Sequence, residues 1–305
     1  MVIPAPGGMF FVTDGGIETD LLFNRGFDLP EFAAFPLLEN DLGLEALDDY
    51  YRGYSAIAQA AGAGLILTAP TWRANPDWGA KIGYDETGLD RMNRAAIDFI
   101  ASLRMSLADL ENVVLAGIIG PRGDGYVAGD IPDLDEAQRY HLGQIESFAA
   151  AGADVVEAIT MTNINEAGGV VKAANAVGLP VGILFTVETE GTLPDGTSLQ
   201  AAVERVDSFG DVSYFGINCA YPDHILPGLT EGDWLNRIAE VRPNASSKSH
   251  AELDESVELD PGDLLDLVRG VDELRVKLPN LRVIGGCCGT DRHHVARIWN
   301  VDGDS

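Results

Sequence analysis

The sequence predicts a single (β/α)8 barrel of the α/β class running through residues 1–305, and three observations carry that prediction. Short apolar segments alternate eight times with segments rich in alanine, leucine and charge, all but one of them of full helix length. The repeat averages about 38 residues, which suits a barrel of roughly 250 residues or more. The longest irregular stretches, 70–85, 121–133, 188–197 and 243–260, each follow the C-terminal end of a predicted strand, the catalytic face of such a barrel. A doubly wound sheet competes, but the first turn, Asp14-Gly15-Gly16-Ile17-Glu18-Thr19, lacks the Gly-x-Gly-x-x-Gly of a dinucleotide fold.

The first strand is predicted at 10–14, where an apolar run meets the Asp14-Gly15-Gly16 turn, and an amphipathic helix at 44–61 follows it. Strands at 64–68 and 113–119 flank a helix at 86–110, and a helix at 134–151 leads to the fourth strand, 154–159. Then come a helix at 165–177, a strand at 180–185, a helix at 199–209 and a strand at 212–218. The unit before the seventh strand, 238–241, is weakest, with a short helix near 232–237; a helix at 262–277 and a strand at 282–285 complete the set. Several strands are rich in Val, Ile and Leu without polar alternation, as parallel strands covered on both faces require.

Lysine and arginine number 20 against 48 aspartates and glutamates, a net charge of −28 that repels nucleic acid phosphates and anionic membranes. No apolar run approaches the roughly 18 to 20 residues of a membrane span, and no secretory signal is visible, so a cytoplasmic location is expected. Three cysteines cannot build a disulfide framework.

Cys219 ends the sixth predicted strand, and Cys287 and Cys288 end the eighth, so in a barrel all three thiols converge over the mouth. Three thiolates without a fourth protein ligand match catalytic zinc, which keeps one position open, better than structural zinc, which is closed by four ligands. Adjacent strand residues point to opposite faces, so the backbone must bend for Cys287 and Cys288 to share an ion, and Gly285, Gly286 and Gly289 permit that. Two other readings stand beside this one: small buried cysteines in a glycine-rich strand, and a strained vicinal disulfide. His293 and His294 follow the pair but would close the open position, so they read as solvated or capping residues.

With these residues in place, the chain resembles the homocysteine S-methyltransferase family, which includes betaine- and S-methylmethionine-dependent enzymes and the homocysteine-binding domain of methionine synthase. The resemblance rests on Asp14-Gly15-Gly16 with Thr19, on Gly216-Ile217-Asn218-Cys219, and on Gly285-Gly286-Cys287-Cys288-Gly289, all in order. Weaker matches at Thr68, Trp72, Tyr126, Glu157, Thr186 and Pro243-Asn244-Ala245 extend it along the chain. It implies a barrel in which Cys219, Cys287 and Cys288 hold Zn2+ and deprotonate the thiol of homocysteine, which takes a methyl group from a small onium donor to give methionine. S-methylmethionine or S-adenosylmethionine is the favoured donor; no folate- or cobalamin-binding domain is appended, which argues against full methionine synthase activity by the chain itself and leaves one separated subunit of such a system as an alternative. It further implies that Asp14 and Glu157 bind the substrate ammonium, while Gly15, Gly16 and Thr68 position the amino acid. Asn218 would orient the backbone beside a ligand.

Each role has a plainer counterpart: Asp14 as a turn residue, Glu157 as an ion-paired strand end, Asn218 as a turn former. The segment after the seventh strand departs from the family pattern, with Ser246 where a glycine is common. Trp72 stands where a tyrosine is common, so the tyrosine hydroxyl that could close the zinc shell is missing; its ring, with Trp78 and Tyr221, can instead hold an onium methyl group. Another thiol or selenol acceptor, and a non-catalytic zinc- or thiol-binding barrel, are the alternative functions. Monomer and homodimer both remain open.

Overall fold

A computed structural model describes residues 7–127, 129–254 and 258–301. Eight parallel strands close a barrel in sequence order: β1 (Phe11–Val12), β2 (Gly64–Thr68), β3 (Val113–Ile119), β4 (Val155–Met161), β5 (Val181–Phe185), β6 (Tyr214–Asn218), β7 (Ile238–Arg242) and β8 (Val283–Ile284). Strand β8 pairs back to β1. The second and third strands match the sequence reading to the residue. The first and eighth are shorter, because beyond Val12 and Ile284 the pairing continues irregularly through a glycine-permitted bend, with Gly286 N donating to Asp14 O over 2.8 Å.

Among the described residues seven helices form the outer ring: α1 (Asp41–Ala61), α2 (Glu86–Ser106), α3 (Leu134–Ala151), α4 (Ile164–Val177), α5 (Leu199–Asp207), α6 (Leu264–Lys277) and α7 (Arg292–Ile298). Between β6 and β7 the return is made by shorter turns, Pro222–Ile225 and Asp233–Arg237, which explains the weak signal there. Side-chain oxygens of Asn40, Asp85, Asp133, Asn163, Ser198, Asp263 and Asp291 cap the seven helices in turn. Helix α1 therefore starts at Asp41 rather than 44, and α6 at Leu264 rather than 262. The stretches read as irregular at 70–85 and 243–260 contain two short helices, Pro76–Lys81 and His250–Asp254.

Alternate strand residues divide between two apolar layers. Leu65, Leu67, Leu115 and Ile119 belong to the main cluster shared with the helices. Ile66, Val114, Ala116, Ile118 and Val155 pack with Phe11, Leu184 and Val283 in a separate cluster that fills the barrel. Continuing along the same faces, Thr68, Glu157, Glu240 and Arg242 are buried with Asp14 in a polar layer. The cysteines lie just beyond that layer, at the strands' C-terminal ends.

Candidate active site

Cys219 follows β6 with φ +57°, and across the mouth Thr160 is held at φ +61°. Left-handed backbone at a β-branched residue persists only where neighbours enforce it. Asn218 supplies that enforcement: its Oδ1 accepts from Thr160 N (2.7 Å) and its Nδ2 donates to Thr160 Oγ1 (2.9 Å). The same amide lies 3.7 Å from Cys287 Sγ. Cys287 and Cys288 sit past the end of β8 in a turn closed by Thr290 N donating to Cys287 O (3.0 Å). Gly289 completes it at φ +79°. A Cβ on Gly16 would come within 2.6 Å of the Cys287 carbonyl oxygen, so the first loop needs glycine to approach the pair.

The three Sγ atoms lie within 4.8 Å of one another, with Cys219 and Cys288 3.5 Å apart. Tetrahedral Zn–S bonds of about 2.3 Å put sulfurs about 3.8 Å apart, so the donor set fits a soft divalent ion. Hydrogen bonds from the Cys219 and Cys288 thiols, with Arg242 and Asn218 adding to them, hold the Cys287 thiol well below its ordinary range. Its neighbours are pushed up by the same coupling. Thiolate character is thus concentrated on Cys287, with Cys219 and Cys288 as its thiol donors.

A cavity of about 430 Å³ opens over the thiols. Its lining includes Phe23, Phe32, Trp72 and Tyr126, the acids Glu18, Asp124, Glu258 and Asp260, and Arg73. Burial pushes the Glu18 carboxyl up to about 8, with the nearby Cys287 and Asp14 charges acting the same way. Tyr126 Oη lies 3.5 Å from the sulfurs of both Cys219 and Cys288. Its ring stacks on His250 at 4.2 Å, and His250 Nε2 bonds Cys219 O at 2.7 Å while Nδ1 meets Glu188 at 3.0 Å. The loss of a tyrosine inferred from Trp72 is therefore corrected: the loop after β3 brings a hydroxyl to the thiols from another direction. Sequence reading gave no role to Glu18, which lies between Gly16 and Thr19 of the first motif, and none to Arg73 or His250, which lie in loops outside the motifs; the one local signal for Arg73 was its place beside Trp72 and near Trp78.

Trp72 lines the cavity as placed by the sequence reading, whereas Tyr221 does not line it. Asp14, Thr68 and Glu157 lie beneath the cavity rather than on its wall. Asp14, assigned to a substrate ammonium, is 2% exposed, and protein groups already hold both of its oxygens. Arg242 Nη2 and Thr13 Oγ1 donate to Oδ1, and Thr68 Oγ1 (2.8 Å) and Tyr50 Oη (3.1 Å) to Oδ2. Glu157 accepts from Tyr214 Oη and is fully buried beside Glu240. Burial pushes Glu157 up and Glu240 well up. Gly15 and Gly16 shape the turn: Gly15 O accepts from Tyr50 Oη, and Gly16 N donates to Thr290 O. His294 is a capping residue, bonded to Asp291 at the start of α7.

A closed parallel barrel with three convergent thiols under an acidic, aromatic cavity defines a class, that of (β/α)8 barrels whose mouth carries a thiol cluster able to hold a metal ion. The family model for homocysteine S-methyltransferase matches residues 11–301. The chain is 26% identical over 300 residues to the homocysteine S-methyltransferase of Escherichia coli (strain K12), covering 93% of each. It is 25% identical over 310 residues to homocysteine S-methyltransferase YbgG of Bacillus subtilis (strain 168), covering 94% of this chain and 92% of that one. The metallated form of the E. coli homocysteine methyltransferase MmuM shares the fold, with a TM-score of 0.74 at 23% identity over 95% of this chain and 96% of that one. The chain belongs to the homocysteine S-methyltransferase family and is a methyltransferase. No helix among the described residues is long and apolar enough to cross a membrane.

Proposed function

We propose that this protein transfers a methyl group from a small onium donor, S-methylmethionine or S-adenosylmethionine in preference, to the thiol of homocysteine, giving methionine. The observation that carries the reading is the convergence of Cys219, Cys287 and Cys288 at the floor of a cavity with aromatic and acidic walls. In this reading the whole chain, 1–305, is one homocysteine-binding barrel, and a reducing cytoplasm keeps its thiols free. The three thiolates would hold Zn2+, which when bound supplies the Lewis acidity that keeps an acceptor thiol deprotonated at neutral pH.

The residues then have separate tasks. Asn218 and the Gly16 approach fix the thiols, and Arg242 beneath Cys287 balances their charge. Asp14, Thr68 and Glu157 support the acceptor's end of the site, with Asp14 acting through Arg242. The acid walls and the Phe23, Phe32, Trp72 and Tyr126 rings attract a cationic donor and exclude water. The acceptor sulfur attacks the donor's methyl carbon in line; a new S–CH3 bond forms as the onium–CH3 bond breaks, and the donor leaves with that electron pair, neutral. Placement of the two substrates supplies the rate, and no protein nucleophile takes part.

The test is a donor panel of betaine, S-methylmethionine, S-adenosylmethionine and methyltetrahydrofolate against homocysteine, run alongside metal analysis. Methionine should form with a sulfonium donor, and the purified chain should hold about one zinc. Cys219→Ala, Cys287→Ala and Cys288→Ala should each lose most of that zinc and reduce turnover by about a thousandfold or more. Full zinc retention by all three variants would refute the metal assignment, and absence of methionine with every donor would refute the reaction.

A further inference from the structure

Two arginines are buried among the described residues, and they differ in one respect. Arg242 is ion-paired with Asp14. Arg73, 7% exposed on the wall of the cavity, forms no ion pair with any described carboxylate, in a chain where acids outnumber bases by 48 to 20. Its Nη1 donates to Gly123 O over 3.2 Å, and its Nε is buried with no hydrogen-bond partner among the described residues. The guanidinium is gripped between two indoles, 4.1 Å from the Trp72 ring and 3.5 Å from that of Trp78. Asn75, two residues on, caps the helix Pro76–Lys81, which carries Trp78, so the stack is fixed at both ends. A cation kept out of water and oriented by flat rings, with Asp124, Glu18 and Glu31 acting on it only beyond ion-pair distance, is expensive unless an anion makes direct contact. The planar fork of arginine matches a carboxylate in particular.

We infer that Arg73 is the cavity's receptor for a substrate carboxylate, and so sets specificity for substrates that carry one. The inference rests on the methyltransferase reading for what enters the cavity. Homocysteine and the onium donors considered above share this chemistry, since each carries a carboxylate. Among the described residues lining the cavity, Arg73 is the one fixed cation, amid Glu18, Asp124, Glu258 and Asp260. The acids attract the onium centre; Arg73 gives the anionic end one place to go. Burial lowers the Arg73 guanidinium to about 10, leaving it charged at neutral pH.

The experiment uses the full chain and the variants Arg73→Gln and Arg73→Lys, with steady-state kinetics in two arms. The acceptor arm compares homocysteine with 3-aminopropane-1-thiol, which is homocysteine without its carboxylate. The donor arm compares S-methylmethionine with trimethylsulfonium. In one arm Arg73→Gln should raise KM for the carboxylate-bearing compound about tenfold or more and leave its carboxylate-free counterpart within about twofold, with Arg73→Lys recovering part of the loss. The affected arm tells whether acceptor or donor uses the receptor. A role confined to holding the Gly123 loop would shift both members of each pair alike, and that result, or no shift in either arm, overturns the proposal. Tryptophan fluorescence titration with methionine and with 3-(methylthio)propylamine reads the same contrast without turnover. A chain that shows this contrast yet makes no methionine disproves the reaction and not the receptor, whereas an active chain indifferent to Arg73 disproves the receptor alone.

Discussion

The barrel interior and the cavity wall each bury an arginine, and the contrast between them separates scaffold from ligand chemistry. Beneath the thiols, Arg242 is held by Asp14 and by the Gly286 carbonyl, and Asp14 is held in turn by Thr68, Tyr50 and Thr13. That region pairs its arginine with a carboxylate of its own. On the wall, Arg73 has aromatic faces and one carbonyl but no carboxylate at ion-pair distance among the described residues. Arg242 and Arg73 each bury one guanidinium nitrogen without a hydrogen-bond partner among the described residues, but the fold gives Arg242 a carboxylate in direct contact and gives Arg73 none. A buried charge with its counterion supplied maintains the fold, and one left without a contacting anion is available to whatever the cavity admits.

Stability measurements can break this comparison most directly. Arg242→Met strands the Asp14 carboxylate in the barrel and should cost about 3–5 kcal/mol in denaturant unfolding at neutral pH. Arg73→Met removes a cation with no counterion and should change stability by less than about 1 kcal/mol, in either direction. Equal losses at the two sites would show that Arg73 is as structural as Arg242.

A smaller effect sharpens the account of the interior. Burial, then the charge of Glu157, pushes Glu240 well above its ordinary 4.5, so the folded barrel holds a proton that the unfolded chain releases as pH rises past that value. Stability from such a group is complete below 4.5 and drains away as pH climbs toward the folded value. Glu240→Gln mimics the protonated form and is spared the drain. The variant should match the parent near pH 4 and gain on it steadily as pH rises to 7. Urea unfolding of both proteins at pH 4, 5.5 and 7 measures this, and a gap that stays constant means Glu240 is ionised in the barrel.

The sequence made the barrel legible because its evidence is local and repeated: β2 and β3 appear where continuous aliphatic runs stop at polar turns. The thiol cluster was legible because topology alone brings the ends of β6 and β8 together. Arg242 escaped notice because the seventh strand was read as ending at Val241; one residue more places it two after Glu240, on the same inward face. Tyr126, named only as a weaker family match, was not placed at the thiols, and Arg73 was not singled out, for a different reason. Both sit in loops, where no periodicity reports direction, and the features that mark them, a hydroxyl 3.5 Å from two sulfurs and a guanidinium without an anion, depend on partners far along the chain.

Between the two extremes lies a half-buried pair at the start of α7, which should give the smallest effect. Asp291 caps the helix through the His293 and His294 amides. His294 Nδ1 lies 2.7 Å from Asp291 Oδ1 and 3.3 Å from the Asp291 amide that closes the capping box, and its Nε2 faces the Pro261 carbonyl at 3.2 Å. Burial works against both charges. The hydrogen bond between them prevails, holding His294 above its ordinary 6.5 and Asp291 down at about 2. The aspartate's contribution is present above 3.8 and lost as pH falls through about 2; the histidine's is present below 6.5 and lost as pH rises through its folded value. Asp291→Ala should therefore cost about 1 kcal/mol between pH 4 and 6.5, and less at pH 2 and pH 9. A cost independent of pH would mean that the cap works through its backbone hydrogen bonds alone. The pair would then resemble neither arginine, being closed by geometry where Arg242 is closed by charge and Arg73 stays open to a ligand.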